Sequence, residues 1–183
     1  MSVSTQTAVA RTTAQFRSFP KITALTLACA ALAPSTMAAT ATGDASATVV
    51  TPIAITAVNA LDFGTVVASG TAGTVVMGTD GTRTVTGGTT LSSKSAGTAG
   101  TFDVTGEGDA TYAITLPASI SIADTEATPN TMTVDTFTSN PATTGTLDVN
   151  GAETISVGAT LNVEASQVAN TYTGTYDVTV DYN

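Results

Sequence analysis

The chain is 183 residues long and sets 14 Asp and Glu against 5 Lys and Arg, with one Cys, no His and no Trp. Its formal charge of −9 repels nucleic-acid phosphates and anionic lipid surfaces. The missing His removes Ser-His-Asp machinery and His-based metal sites. The first element is an export signal. Arg11, Arg17 and Lys21 precede an apolar run from Ile22 to Leu32, which has signal-peptide length and is too short to cross a bilayer as a helix. The small residues Thr36-Met37-Ala38-Ala39-Thr40-Ala41 follow, so cleavage is expected after Ala38, Ala39 or Ala41. Cys29 lies inside the apolar run, and Thr26 stands where a lipidation box prefers Leu. It is read as filler removed with the signal.

Residues 1–41 are therefore read as a signal peptide and 42–183 as one β-domain with a single core, exported to the periplasm, the cell surface or the medium. Two cations, Arg83 and Lys94, then face all fourteen acids, which leaves a formal charge of −12 on residues 42–183. Those residues contain no Cys, so no disulfide and no thiol chemistry is available. Stability has to come from sheet hydrogen bonds and burial. No membrane span is expected after signal cleavage.

The elements that follow are all strands. Ala47, Val49, Ile53 and Ile55 share one parity, and Pro52 marks their strand as an edge or a bulge. A sheet completed within the chain, not by a neighbour's strand, is expected here. Leu61-Asp62-Phe63-Gly64 with Thr65-Val66-Val67 gives a short second strand. Thr74 to Met77 and Thr82 to Thr86 flank Gly78-Thr79-Asp80-Gly81, a hairpin signal. Phe102 and Val104 alternate with Asp103 and Thr105; Tyr112, Ile114 and Leu116 alternate with Ala113 and Thr115 until Pro117. Met132 and Val134 share a face that Phe137 leaves by parity, which predicts a bulge near Asp135. Leu147 and Val149 are expected to point one way, before a turn at Asn150-Gly151. Ile155, Val157, Leu161 and Val163 make two short strands or one long bent one.

The last strand has the clearest pattern. From Tyr172 to Asn183, Tyr172, Tyr176, Val178, Val180 and Tyr182 alternate with Thr173, Thr175, Asp177, Thr179, Asp181 and Asn183, one core face against one wet face. With no helical period after residue 41, the fold class is all-β: an immunoglobulin-like antiparallel β-sandwich of roughly 8–10 short strands. A small outer-membrane barrel is the architectural rival, opposed by the 5% aromatic content and strands shorter than a span needs.

No catalytic constellation is present, and no cofactor or metal site is expected. Gly106-Glu107-Gly108-Asp109-Ala110-Thr111 begins like a dinucleotide fingerprint but has Thr at its last glycine position. Glu107 with Asp109, or Asp124 with Glu126, offers hard oxygen ligands without the spacing of a calcium loop; both pairs are read as solvated loop acids. Arg83 and Lys94 are assigned surface roles, with an ion pair to a neighbouring Asp as the alternative.

Leu61-Asp62-Phe63-Gly64, Thr131-Met132-Thr133-Val134, Val157 to Val163 and Tyr172 to Val180 stand in an order that resembles the bacterial domain of unknown function family 4402, small exported proteins of Gram-negative bacteria. The resemblance covers about Ala45 to Asn183 and transfers no active-site residue. Leu-Asp-Phe-Gly and the Tyr-ending last strand are also similar, more loosely, to spore coat protein U and archaic chaperone–usher pilus subunits, which implies the immunoglobulin-like fold. The expected function is that of a non-catalytic secreted or surface structural protein, pilus-like or part of a surface assembly, with copies of itself or surface proteins as partners. The alternative is a periplasmic or extracellular module that binds a glycan or a protein.

Overall fold

A computed structural model describes residues 38–183. The basic stretch, the apolar run and Cys29 of the expected signal lie outside the described residues. Residues 38–45 are exposed and carry no strand; residues 46–183 form a compact unit of their own. Twelve strands follow in chain order. They are β1 (Ala54–Asn59), β2 (Val66–Val67), β3 (Gly73–Met77), β4 (Arg83–Gly87), β5 (Thr90–Leu91) and β6 (Gly100–Thr105), then β7 (Thr111–Thr115), β8 (Ser119–Ala123), β9 (Thr131–Asn140), β10 (Thr144–Thr146), β11 (Ala152–Val163) and β12 (Thr179–Tyr182). Every pairing is antiparallel, so the class is all-β.

The long strand β11 organises the larger, seven-stranded sheet. Its first half pairs with β6, from Ala152↔Thr105 to Val157↔Gly100. Its second half pairs with β3, from Ala159↔Met77 to Val163↔Gly73. The opposite edge carries β9, from Ser156↔Asn140 to Asn162↔Thr133. β1 extends the sheet beyond β6, β4 beyond β3, and β8 beyond β9. A three-stranded sheet runs in the order β10-β7-β12, and β2 pairs with β5. All these strand orders are open among the described residues, so the ring that an outer-membrane barrel requires is not formed by them.

The core is built from two clusters. One gathers Val75, Met77, Val134, Ala159, Leu161, Val163 and Phe63 under the second half of β11. The other joins Val104, Ile155 and Val157 of the large sheet to Tyr112, Ile114 and Val180 of the small one, with Leu147 beside them. The two sheets therefore share a buried apolar layer, as packed sheets do. Phe137 packs against both clusters. The bulge predicted from its parity is present: Gly158 faces Thr138 and Thr160 faces Asp135, so Thr136 and Phe137 together oppose Ala159. Thr136 takes the left-handed region, with φ 50°, at this two-against-one step.

Three expectations are corrected. The last strand is laddered only over Thr179–Tyr182, opposite Thr115–Tyr112. Before it, only Thr173 makes a bridge, to Ala123. The reason is the partner: β7 stops before Leu116 and Pro117, and Pro has no N–H for a ladder. Its alternation survives as burial: Val180 is buried, Tyr172, Tyr176, Val178 and Tyr182 are half-buried, and Asp177, Thr179 and Asp181 are exposed. The first strand starts at Ala54; Ile53 and Ile55 are half-buried, but Ala47 and Val49 are exposed and unpaired. Leu147 and Val149 point apart, at 1% and 76% exposure, because Val149 already belongs to the turn that Asp148 closes by accepting from Asn150 N and Ala152 N.

Candidate functional site

The polar residues gather in four places. The first is a clasp at the second strand. Asp62 N and O bond Thr98 O and N at 2.9 and 2.7 Å, while the Asp62 carboxylate accepts from Gly64 N at 2.7 Å. Gly64 and Gly97 both adopt left-handed φ, 69° and 71°, a region glycine enters at no steric cost. A Cβ on Gly64 would sit 2.6 Å from Ser95 O and 2.8 Å from Gly97 N. Phe63 turns its ring into the core, and its carbonyl accepts from Arg83 Nη1 at 2.7 Å. Arg83 Nη2 donates to Ser95 O at 3.0 Å. Arg83 thus corrects the surface reading: it is half-buried and fastens two loops by their backbone carbonyls, with no acid involved in either bond.

The second place joins the two ends of the domain. Tyr182 Oη donates to Thr51 O at 2.8 Å and accepts from Glu107 N at 2.6 Å. Glu107 Oε2 accepts from Thr51 N at 2.9 Å, which holds its carboxyl below the usual range. Asp109 lies on the same turn with φ 60°, and its amide donates to Asp148 O. The third place is the loop from Asp124 to Asn130. Asp124 is 5% exposed and accepts from the Asn130 side chain (2.7 Å) and amide (3.0 Å), from Glu126 N and from Asn170 Nδ2. Asn130 is the leading cause of its lowered pKa. Asn170 also donates to Glu126 Oε1. In the fourth place, Tyr112 Oη and Thr146 N both donate to Glu153 Oε2, at 2.7 and 2.9 Å. Burial, then Glu153, pushes the Tyr112 phenol up.

These carboxylates are acceptors for backbone and amide groups that folding would otherwise strand. Among the described residues no three His, Cys, Asp or Glu are grouped as metal ligands. The structure brings Glu107 together with Thr51 and Tyr182, and Asp124 with two asparagines. The core-strand residues Tyr172, Tyr176, Val178, Val180 and Tyr182 stand apart from one common site: Tyr172 bonds Val168 O and Gln167, whereas Tyr176 packs against Phe102 and Phe137 at ring-centroid distances of 5.9 and 5.3 Å. The Arg83 clasp and the Thr51–Tyr182 bond leave no linear signal, since the partners are 12 to 131 residues apart.

Two hydroxyls differ in a way that can be measured. Tyr112 Oη has its acceptor, but Tyr176 Oη is buried over Gly100 with no partner, and burial pushes its pKa up to about 12. Removing an unsatisfied buried hydroxyl removes a penalty. Tyr176→Phe is therefore expected to keep or raise the melting temperature. Tyr112→Phe should lower stability by about 1–3 kcal/mol, because it strips a bond from Glu153. Denaturant titration of both variants checks the contrast.

Acid should weaken the fold. Asp80 is held low by Thr82, Glu107 by Thr51, Asp124 by Asn130 and Asp148 by Ala152. A carboxyl depressed in the folded state contributes stability that is complete above its unfolded pKa and is lost as pH falls through its folded one. The melting temperature is expected to be level near neutrality and to fall once pH drops below the ordinary carboxylate range. A profile that stays flat into strong acid would contradict these bonds.

Two shallow depressions of about 320 and 380 Å³ lie on the sheet, one over Asp103 to Thr105 and Ala152 to Thr154, the other where β3 begins and β4 and β11 end. No aromatic residue lines either one. Every exposed large hydrophobic among the described residues is a valine.

The model of the family described as Domain of unknown function (DUF4402) matches residues 53–182. The chain belongs to this family. The match begins at Ile53, one residue before β1, and ends at Tyr182, the last residue of β12, so the family's extent coincides with the laddered part of this structure. It contains the clasp, the Asp124 loop and the Tyr112–Glu153 pair. No curated protein and no solved structure matches the chain.

Proposed function

We propose that the protein is a non-catalytic, exported structural subunit that works outside the inner membrane by associating with other copies of itself in a pilus-like or other surface assembly. The observation that carries this reading is the set of open sheet edges, β1, β4 and β8 on the large sheet and β10 and β12 on the small one. An open edge presents unpaired N–H and C=O groups to another chain. The polar clusters support it by what they bond: Glu107, Asp124 and Glu153 each accept from backbone amides of neighbouring segments. A glycan-binding module would instead offer aromatic rings around a hollow, and the depressions here have none.

The module is complete before it associates, because Ala54–Asn59 pairs with β6 of its own chain. Association then adds edges to edges and needs no strand exchange. The test is to export the full chain and purify the processed protein without denaturant. Its mass should rise with concentration in sedimentation equilibrium, and surface labelling of intact cells should reach it. A protein that stays monomeric at every concentration and is inaccessible on cells overturns the proposal.

A further inference from the structure

We propose that two copies pair antiparallel through their β4 strands, Val85 opposite Val85, across a two-fold axis. This rests on the assembly reading above and names the edge and its register. β4 joins β3 in the register Thr74↔Thr86, Val75↔Val85 and Val76↔Thr84. The bonds Gly78 N to Thr82 O and Gly88 N to Ala72 O bracket that hairpin. Antiparallel ladders alternate hydrogen-bonded and non-hydrogen-bonded pairs. Thr82, Thr84 and Thr86 therefore spend their backbone groups on β3. Arg83 and Val85 direct theirs to the outside, and Gly87, with φ 66°, turns the end of the strand out of the extended range. A second β4 placed with Val85 facing Val85 exchanges both bonds at the centre and sets Arg83 of each copy against Gly87 of the other.

The other edges are more heavily guarded than this one. β1 follows Pro52 and loses register between Ala57 and Asn59. The outer side of β8 already meets Thr173 at Ala123. β10 is three residues long, and β12 carries Asp181. β4 reads Arg-Thr-Val-Thr-Gly, with no Pro, Lys or acid. Its only charge is turned away, since the Arg83 guanidinium is bonded to Phe63 O and Ser95 O. A charge held inward is itself a guard, but no Pro, Lys or acid on this strand stands against the outward backbone groups of Val85.

Charge favours the same place. The surface of residues 42–183 is acidic throughout, with two cations against fourteen acids, and one of the two cations is on this strand. Copies approach with least repulsion where acids are missing. What repulsion remains is screened by salt, so pairing should strengthen as ionic strength rises. Val85 is 36% exposed, against 0% for Val75 opposite it; a second Val85 beside it covers the remainder.

Residues 42–183 contain no Cys, which makes the test direct. Val85→Cys in the processed full chain should form a disulfide dimer on mild oxidation, because facing residues of a hydrogen-bonded pair lie about 5.5 Å apart at Cα, within the span a disulfide bridges. Val58→Cys on β1, 54% exposed, should not. Val85→Pro removes an outward N–H and no bond to β3, so it should keep the parent's circular dichroism and lose the salt-dependent dimer. A Val85→Lys variant should do the same without altering the backbone. Multimers that survive Val85→Pro, with no cross-link at position 85, overturn this pairing and leave the assembly reading standing. A parent that is monomeric at all concentrations and salts overturns both.

Discussion

Gly158→Val is expected to abolish folding. Gly158 is the residue of β11 between the stretch that pairs with β6 and the stretch that pairs with β3. A Cβ there would overlap the Met77 carbonyl oxygen and lie 2.9 Å from Gly78 C and 3.0 Å from Thr79 N. These are backbone atoms of the β3–β4 hairpin, so no side-chain rotation relieves the collision. The hairpin would have to leave β11, and Val75, Met77 and Leu161 would leave their common cluster. Substitutions that force such a shift exceed about 4–5 kcal/mol, which is comparable with the whole stability of a domain this size, about 5–15 kcal/mol. Gly158→Ala should fail as well, because the first carbon is enough. Gly70→Ala is the control: a Cβ at Gly70 meets nothing within 4 Å. Soluble yield and thermal unfolding of the three variants decide the matter, and a Gly158→Val protein that melts with the parent would show that β3 does not approach β11 in this way.

The same residue marks where sequence reading reached its limit. Alternation from Ile155 to Val163 announces a strand but is silent on its having three partners. Only the close approach at Gly158 turns that glycine from a weak strand former into a requirement. Local signals were reliable where the partner is close in the chain. The Asp80-Gly81 hairpin pairs Gly73–Met77 with Arg83–Gly87, and Gly81 takes φ 79°. The parity break at Phe137 gave the bulge, because a period of two leaves one residue no other explanation.

Elsewhere the pattern was readable and the context misled. Ser119 to Ala123 alternates cleanly, with Ile120 and Ile122 half-buried and Ser119 and Ser121 exposed on Ser119 to Ile122. It follows Pro117 and Ala118, just past the end of β7, and a Pro so close masks the strand in the sequence. β5 and β10 are two and three residues of Thr, Leu and Gly; pairs that short exist because a partner supplies the hydrogen bonds, and propensity carries no trace of them. The overreach at Tyr172 to Val178 has the same origin. Side-chain alternation reports which way residues face, and those residues do alternate. It cannot report whether a neighbouring strand is long enough to bond them, and Pro117 is the residue that denies it.

Arg83 gives the second large effect, and salt dependence identifies its cause. Arg83→Met keeps the apolar stem that packs beside Met77's strand but removes both donors to Phe63 O and Ser95 O. Each hydrogen bond from a charged donor contributes about 1.5–3 kcal/mol, so the two together are expected to cost about 3–6 kcal/mol when both are removed. Arg83→Lys should recover only part, since one ammonium cannot reach two divergent carbonyls as a planar guanidinium does. The local consequence follows from the clasp: without Arg83, the Asp62–Thr98 bridge loses its brace, and the amides of Asp62 and Thr98 should exchange with solvent sooner than those of β11. An exposed ion pair in the same position would weaken steadily as salt screens it. Bonds to half-buried backbone carbonyls are screened far less, so the gap in stability between parent and Arg83→Met should persist at high salt. A gap that closes with added salt would mean that Arg83 acts through an acid after all, and the clasp would then have to be redrawn around that partner.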